Sequence, residues 1–271
     1  MIPDTIKPSN APIGVFDSGI GGLTVVAALR QALPDERILY IGDTARVPYG
    51  GKSAETVTRY SREISDVLVA EGTKLIVVAC NTASALAVPQ LTQNYDVPMV
   101  GVLEPGAAAA VKATQSGKIG IIGTRATVAS GAYQRAIATL NPELSVTAAP
   151  CPLLVPLIEE GLFQDPITDL VLRRYLEPML DSGIDTLVLG CTHYPLLKDA
   201  ILKICGDRVT LVDSAENCAL AVKAMLTKTC SVGENSRLDI LLTDSSEGFL
   251  RIAEKSLKLK IDSLSIRRVG N

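Results

Sequence analysis

The chain has 271 residues, enough for one large α/β unit or two domains of ordinary size, and 47% of it is apolar. A net charge of −3 lacks the basic excess of a general nucleic-acid binder. No apolar stretch approaches a membrane span, and the start shows no export-signal pattern, so a cytoplasmic enzyme behind a polar N-terminal tail is expected.

In chain order, Ile13-Gly-Val-Phe16 predicts a short strand running into Asp17-Ser-Gly-Ile-Gly-Gly22, with an amphipathic helix over 23–33. A helix N-terminus approached through glycines suits an anion. The stretch nevertheless fails the dinucleotide fingerprint, because Thr24 stands where the third glycine belongs, and no Walker-A Gly-Lys-Ser/Thr follows. A second reading stands beside the anion site: the glycines only let helix and strand pack closely. Next come a strand over 38–41, Gly42-Asp43, and a loop over 45–51 that Pro48 and two glycines hold near the same sheet edge. Asp43 and Tyr49 are candidates to face a crevice there. A helix over 53–70 follows.

The organising feature is a pair of short apolar runs that each end on a cysteine, Leu75-Ile-Val-Val-Ala-Cys80 and Leu187-Val-Leu-Gly-Cys191. Uncharged and rich in branched side chains, they predict parallel strands buried on both faces. Gly72 and Gly183, eight residues before each cysteine, mark where the preceding helix stops. Both thiols then fall just past the carboxyl end of a strand, where open α/β sheets place their ligand crevice.

A helix over 84–93 and a strand over 97–102 complete the first half. The second half repeats the plan: Ile119-Gly-Ile-Ile-Gly-Thr124 lies 106 residues after Ile13-Gly-Val-Phe-Asp-Ser18, and the cysteines are 111 apart. Such near-constant displacement predicts an internal duplication. The fold class expected is α/β, with two pseudo-symmetric domains, each a mostly parallel sheet flanked by helices, and the active site in the cleft between them. In that arrangement Thr124 mirrors Ser18. The first domain takes residues 1–104 plus 214–271 and the second 105–213, with a hinge near Glu104-Pro-Gly106 and a second crossing near Asp213-Ser214. A helix over 215–228, a strand over 238–242, a cap at 243–246 for a helix over 247–256, and a strand over 259–266 carry the chain back to the first domain.

Six cysteines without a C-x-x-C do not make a disulfide framework in a chain this long, and with His193 the single histidine no zinc-ligand spacing exists. Cys151, Cys205, Cys218 and Cys230 read as small buried hydrophobes. Two opposed thiols at the walls of one pocket suit inversion of a carbon centre: one removes the proton and the other delivers one to the opposite face. A Cys–His hydrolase is the catalytic rival, awkward for Cys191 because His193 lies only two residues away in the same loop.

Asp17-Ser18-Gly-x-Gly-Gly22, Val47-Pro48-Tyr49-Gly50, Ala79-Cys80-Asn81-Thr82-Ala83 and Gly190-Cys191-Thr192-His193-Tyr194-Pro195 resemble the signature segments of glutamate racemases, within the cofactor-independent aspartate/glutamate racemase superfamily. The resemblance implies racemisation of glutamate without pyridoxal phosphate or any other cofactor, supplying D-glutamate for peptidoglycan. It implies that Cys80 handles the D-isomer's α-proton and Cys191 the L-isomer's. Asp17 and His193 assist the respective thiols, and Glu159 lies near the second. By the same resemblance Asp17, Ser18, Tyr49, Gly50, Asn81, Thr82, Thr124, Thr192 and His193 hold the substrate, and the chain is a homodimer. Aspartate racemase, a single-thiol decarboxylase and a two-domain amino-acid-binding module remain as alternatives.

Overall fold

A computed structural model describes residues 10–226, 236–245 and 247–270. Apolar runs with branched side chains become strands, and every strand pair among these residues is parallel. The first sheet is built from β1 (Ile13–Asp17), β2 (Ile38–Gly42), β3 (Leu75–Val78) and β4 (Met99–Gly101). The second takes β5 (Lys118–Gly123), β6 (Ser145–Pro150), β7 (Thr186–Gly190) and β8 (Thr210–Asp213). The chain then returns to the first sheet with β9 (Leu238–Leu242) and β10 (Ser263–Ile266), so the two orders are β10-β9-β2-β1-β3-β4 and β6-β5-β7-β8. Within the four strands common to both, the order is the same, β2-β1-β3-β4 against β6-β5-β7-β8, and this is the repeat that the sequence displacement anticipates.

Helices cover both faces of each sheet. In the first half they are α1 (Leu23–Ala32), α2 (Ala54–Ala70), α3 (Asn81–Leu86), α4 (Val88–Asn94) and α5 (Leu103–Ala113). The second half carries α6 (Arg125–Ala129), α7 (Ala132–Leu140), α8 (Leu154–Glu159), α9 (Pro166–Asp181) and α10 (Lys198–Cys205). The return adds α11 (Ser214–Leu226) and α12 (Glu247–Leu250), the latter continued by a π-helical turn over Arg251–Ser256. The cysteine strands are buried at every position, because α-helices pack on both of their faces. Gly72 (φ +71) and Gly183 (φ +81) take the left-handed conformation just past the ends of α2 and α9, which only glycine adopts without strain.

Local departures from the sequence reading have identifiable causes. The helix expected over 84–93 begins earlier, at Asn81, directly behind Cys80, and divides at Ala87 into α3 and α4. Pro89 explains the break: it donates no N–H and its ring crowds the preceding turn. The segment Glu104-Pro-Gly106, near which the hinge is expected, lies at the start of α5, where a missing N–H costs nothing. The last strand forms only over Ser263–Ile266; Leu259 instead packs in the core of the first sheet. Cys230, the N-terminal tail and the proposed cap at residue 246 lie outside the described residues.

Candidate active site

Both sheets end their central strands toward one cleft, and the two cysteines stand there, each 5% exposed. Cys80 is the N-cap residue of α3 and Cys191 is the first residue after β7. One small cavity is lined by both. From the first half, Ser18, Tyr49, Gly50, Asn81 and Thr82 also line it; from the second, Thr124, Thr192 and His193 do. Val47, Pro48 and Val155 complete the wall, and the sequence reading did not name them as site residues. Val155 had a signal: it precedes Glu159 by four residues, one helical turn, and so shares its face of α8.

The surroundings of the two thiols differ in charge. Burial pushes the Cys80 thiol up to about 12 and the nearby Asp17 carboxylate pushes it the same way, outweighing the Ala83 N–H and the Ser18 hydroxyl, which favour the thiolate. As a thiol, Cys80 donates to Ser18 Oγ at 3.8 Å. On the other wall, Cys191 Sγ lies 3.8 Å from His193 Nδ1, so the imidazole does fold back onto the thiol two residues before it, a reach the spacing made look awkward. His193 Nε2 lies 3.1 Å from Glu159 Oε1. Burial opposes an imidazolium here, but Cys191, Glu159 and Asp17 overcome it and raise His193 to about 10. These neighbours favour the charged form of the ring, whose Nδ1 is turned toward the sulfur of Cys191.

Asp17 and Glu159 do not line the cavity; each sits one contact behind it. Glu159 touches His193 rather than a thiol. Asp17 is fully buried, and its Oδ2 accepts the Gly19 N–H at 3.0 Å while Oδ1 accepts from the Thr192 hydroxyl at 3.4 Å. Burial raises its pKa, against His193 and the N–H groups of Gly22, Gly19 and Ser18. The group that takes the loop N–H groups before α1 is thus the chain's own Asp17 side chain. The glycines serve close packing: a Cβ on Gly21 would lie 2.3 Å from His193 Nδ1, and one on Gly22 2.4 Å from Asp17 Cβ. Asp43 also lies outside the cavity wall, although Tyr49 is part of it.

Polar contacts tie the two halves across the cleft. Thr82 Oγ1 is 2.9 Å from Thr124 Oγ1 and 3.1 Å from Thr127 Oγ1, and the Thr24 hydroxyl donates to the Thr192 carbonyl at 2.9 Å. Behind Cys80, the Asn81 side chain accepts from Tyr133 Oη at 2.7 Å and donates to Ser214 Oγ at 3.3 Å. Thr127, Tyr133 and Ser214 were not legible as site neighbours, since the contacts span 45, 52 and 133 residues. Among the described residues no group of three or more His, Cys, Asp or Glu is placed to hold a metal ion.

A family model described as Asp/Glu/Hydantoin racemase matches residues 22–222. A glutamate racemase of Geobacter metallireducens is 50% identical over 252 residues, 92% of this chain and 93% of the relative. A solved glutamate racemase isoform from Bacillus anthracis is similar with a TM-score of 0.91 at 39% identity, covering 95% of this chain and 97% of that one. A glutamate racemase from Francisella tularensis, solved in complex with D-glutamate, gives 0.88 at 36% identity, with coverage of 95% and 97%.

Proposed function

The chain belongs to the Asp/Glu/hydantoin racemase family, and we propose that it is a glutamate racemase that inverts Cα with Cys80 and Cys191 as its two bases and with no cofactor. The observation that carries this reading is the single small cavity with one thiol on each wall. With L-glutamate bound, the Cys191 thiolate takes the Cα proton and the electron pair stays on carbon. The Cys80 thiol then delivers its proton to the opposite face, leaving Cys191 as thiol, Cys80 as thiolate, and D-glutamate. The surroundings of the pair support this order: the His193 ring faces the Cys191 sulfur at 3.8 Å, and burial with the Asp17 carboxylate nearby favours a protonated Cys80. Return from the D-isomer uses the reverse assignment.

Positioned proton transfer supplies about 10² to 10⁴ in rate. The remainder falls to groups that stabilise the carbanion and hold the substrate's charged ends. Ser18, Tyr49, Gly50, Asn81, Thr82, Thr124 and Thr192, which line the cavity, are assigned that work. Asp17 and Glu159 act through Cys80 and His193 respectively. We further take residues 1–104 with 214–271 as one domain and 105–213 as the other, in a cytoplasmic homodimer that supplies D-glutamate for peptidoglycan. No helix among the described residues is long and apolar enough to cross a membrane.

Polarimetry with L-Glu, D-Glu, L-Asp and D-Asp separates the glutamate enzyme from an aspartate racemase and from a binding module that turns nothing over. The two acids differ by one methylene, worth only about 1–3 kcal/mol of pocket discrimination, so the comparison must be quantitative. In D₂O, Cys80→Ala should still exchange the α-proton of L-glutamate without inverting it, and Cys191→Ala should do the same for D-glutamate. Full racemisation by either variant would sink the two-base assignment.

A further inference from the structure

Asp43 is a fully buried carboxylate, one residue past β2. Three donors converge on it. The Tyr49 phenol donates to Oδ2, the Arg46 Nε donates to both oxygens at 2.8 and 3.0 Å, and the Thr243 hydroxyl donates to Oδ1 at 2.9 Å. Arg46 is itself held: a second nitrogen pairs with Glu63 of α2, and its guanidinium lies 4.1 Å over the Tyr60 ring. Thr243, at the end of β9, also accepts the Ala45 N–H at 2.9 Å. The 45–51 loop and the end of β9 therefore meet on one carboxylate at the end of β2, with α2 holding Arg46 behind it.

The consequence for the cavity lies in Tyr49. Its side chain is fully buried and lines the wall, yet its hydroxyl proton is committed to Asp43 rather than to the cavity. What this residue brings to the wall is therefore not a free hydroxyl but a fixed turn, with the adjoining Gly50 close against Thr124 of the other half. We propose that Asp43 is a positioning residue of the Tyr49–Gly50 turn, gripping the Tyr49 phenol from behind so that this wall is preformed for the substrate. It governs binding of the amino acid and not the proton transfers at Cα. A charge-assisted hydrogen bond in a buried setting is strong enough for this, and unlike a packed apolar contact it fixes direction.

The proposal rests on the racemase reading, and wild-type turnover of glutamate tests that reading separately. For Asp43 the measurements are steady-state constants by polarimetry, the dissociation constant of D-glutamate by calorimetry, and the primary isotope effect with Cα-deuterated substrate. Asp43→Asn turns an amide toward Arg46 and weakens the grip on Tyr49. It should raise KM and the dissociation constant about tenfold, with kcat within about threefold and the isotope effect unchanged. Tyr49→Phe removes the hydroxyl through which Asp43 acts. In that background Asp43→Asn should change KM by less than about twofold, a non-additivity that a merely structural carboxylate would not produce. Unchanged binding in Asp43→Asn, or additive effects in the double variant, would overturn the proposal. A folded Asp43→Asn with a lowered kcat and an altered isotope effect would do so as well.

Discussion

Gly21→Ala is the most direct probe of how the cleft holds its histidine. A methyl group there would sit 2.3 Å from His193 Nδ1, 2.4 Å from Thr192 Oγ1 and 2.6 Å from His193 Cε1. Ordinary contacts of this kind exceed 3.4 Å, so the imidazole must retreat by roughly 1 Å, a displacement that at a reacting centre costs on the order of 10² in rate. The same nitrogen faces Cys191 at 3.8 Å, and the ring's other nitrogen faces Glu159 at 3.1 Å, so one shift disturbs both partners. Because a racemisation has an equilibrium constant of one, kcat/KM must fall equally from either isomer. The side affected shows in the isotope effect, which should grow for Cα-deuterated L-glutamate. His193 is the only histidine of the chain, so its NMR titration is unambiguous, and its pKa should drop from about 10 toward the usual 6.5. Overpacking should also cost about 1–3 kcal/mol of stability. Gly51→Ala is the control, since nothing lies within 4 Å of a methyl there. A Gly21→Ala enzyme with wild-type turnover and an unshifted imidazole would refute this account.

The pH dependence of stability should follow His193. Its folded pKa is raised, so the contribution is fully present below 6.5 and is lost as pH rises through about 10; denaturant midpoints should fall over that window, and less steeply in His193→Asn. Gly50→Ala would bring a methyl within 2.6 Å of Thr124 Cβ and wedge the two halves apart. A raised KM is expected, with partial recovery on adding Thr124→Ser; equal KM in wild type and variant would argue against contact across the cleft at this point. Cys218 is fully buried in the core of the first sheet, where burial pushes its thiol up to about 12. Cys218→Ala should lower stability by about 1 kcal/mol and leave turnover unchanged, and lost turnover in a folded variant would contradict the packing role.

What the sequence determined by itself was local or repeated. Strand runs ending on Cys80 and Cys191, helix stops at Gly72 and Gly183, and the displaced second half all follow from periodicity and turn chemistry, which act within a few residues. The motif segments around both cysteines likewise pointed to the residues that line the cavity. Tertiary structure alone decided which groups stand behind that wall. Asp17 takes the Gly19 N–H behind the wall instead of lining the cavity, Glu159 reaches His193, and Tyr49 turns its hydroxyl to Asp43. Tyr133 and Ser214 meet Asn81 from distant parts of the chain. Such contacts are made by side chains from elements far apart in sequence, and their direction is fixed by how two sheets close on each other, for which no local pattern codes. That closure also sets the different surroundings of the two thiols, because burial and neighbouring ions, not residue type, decide where a proton rests.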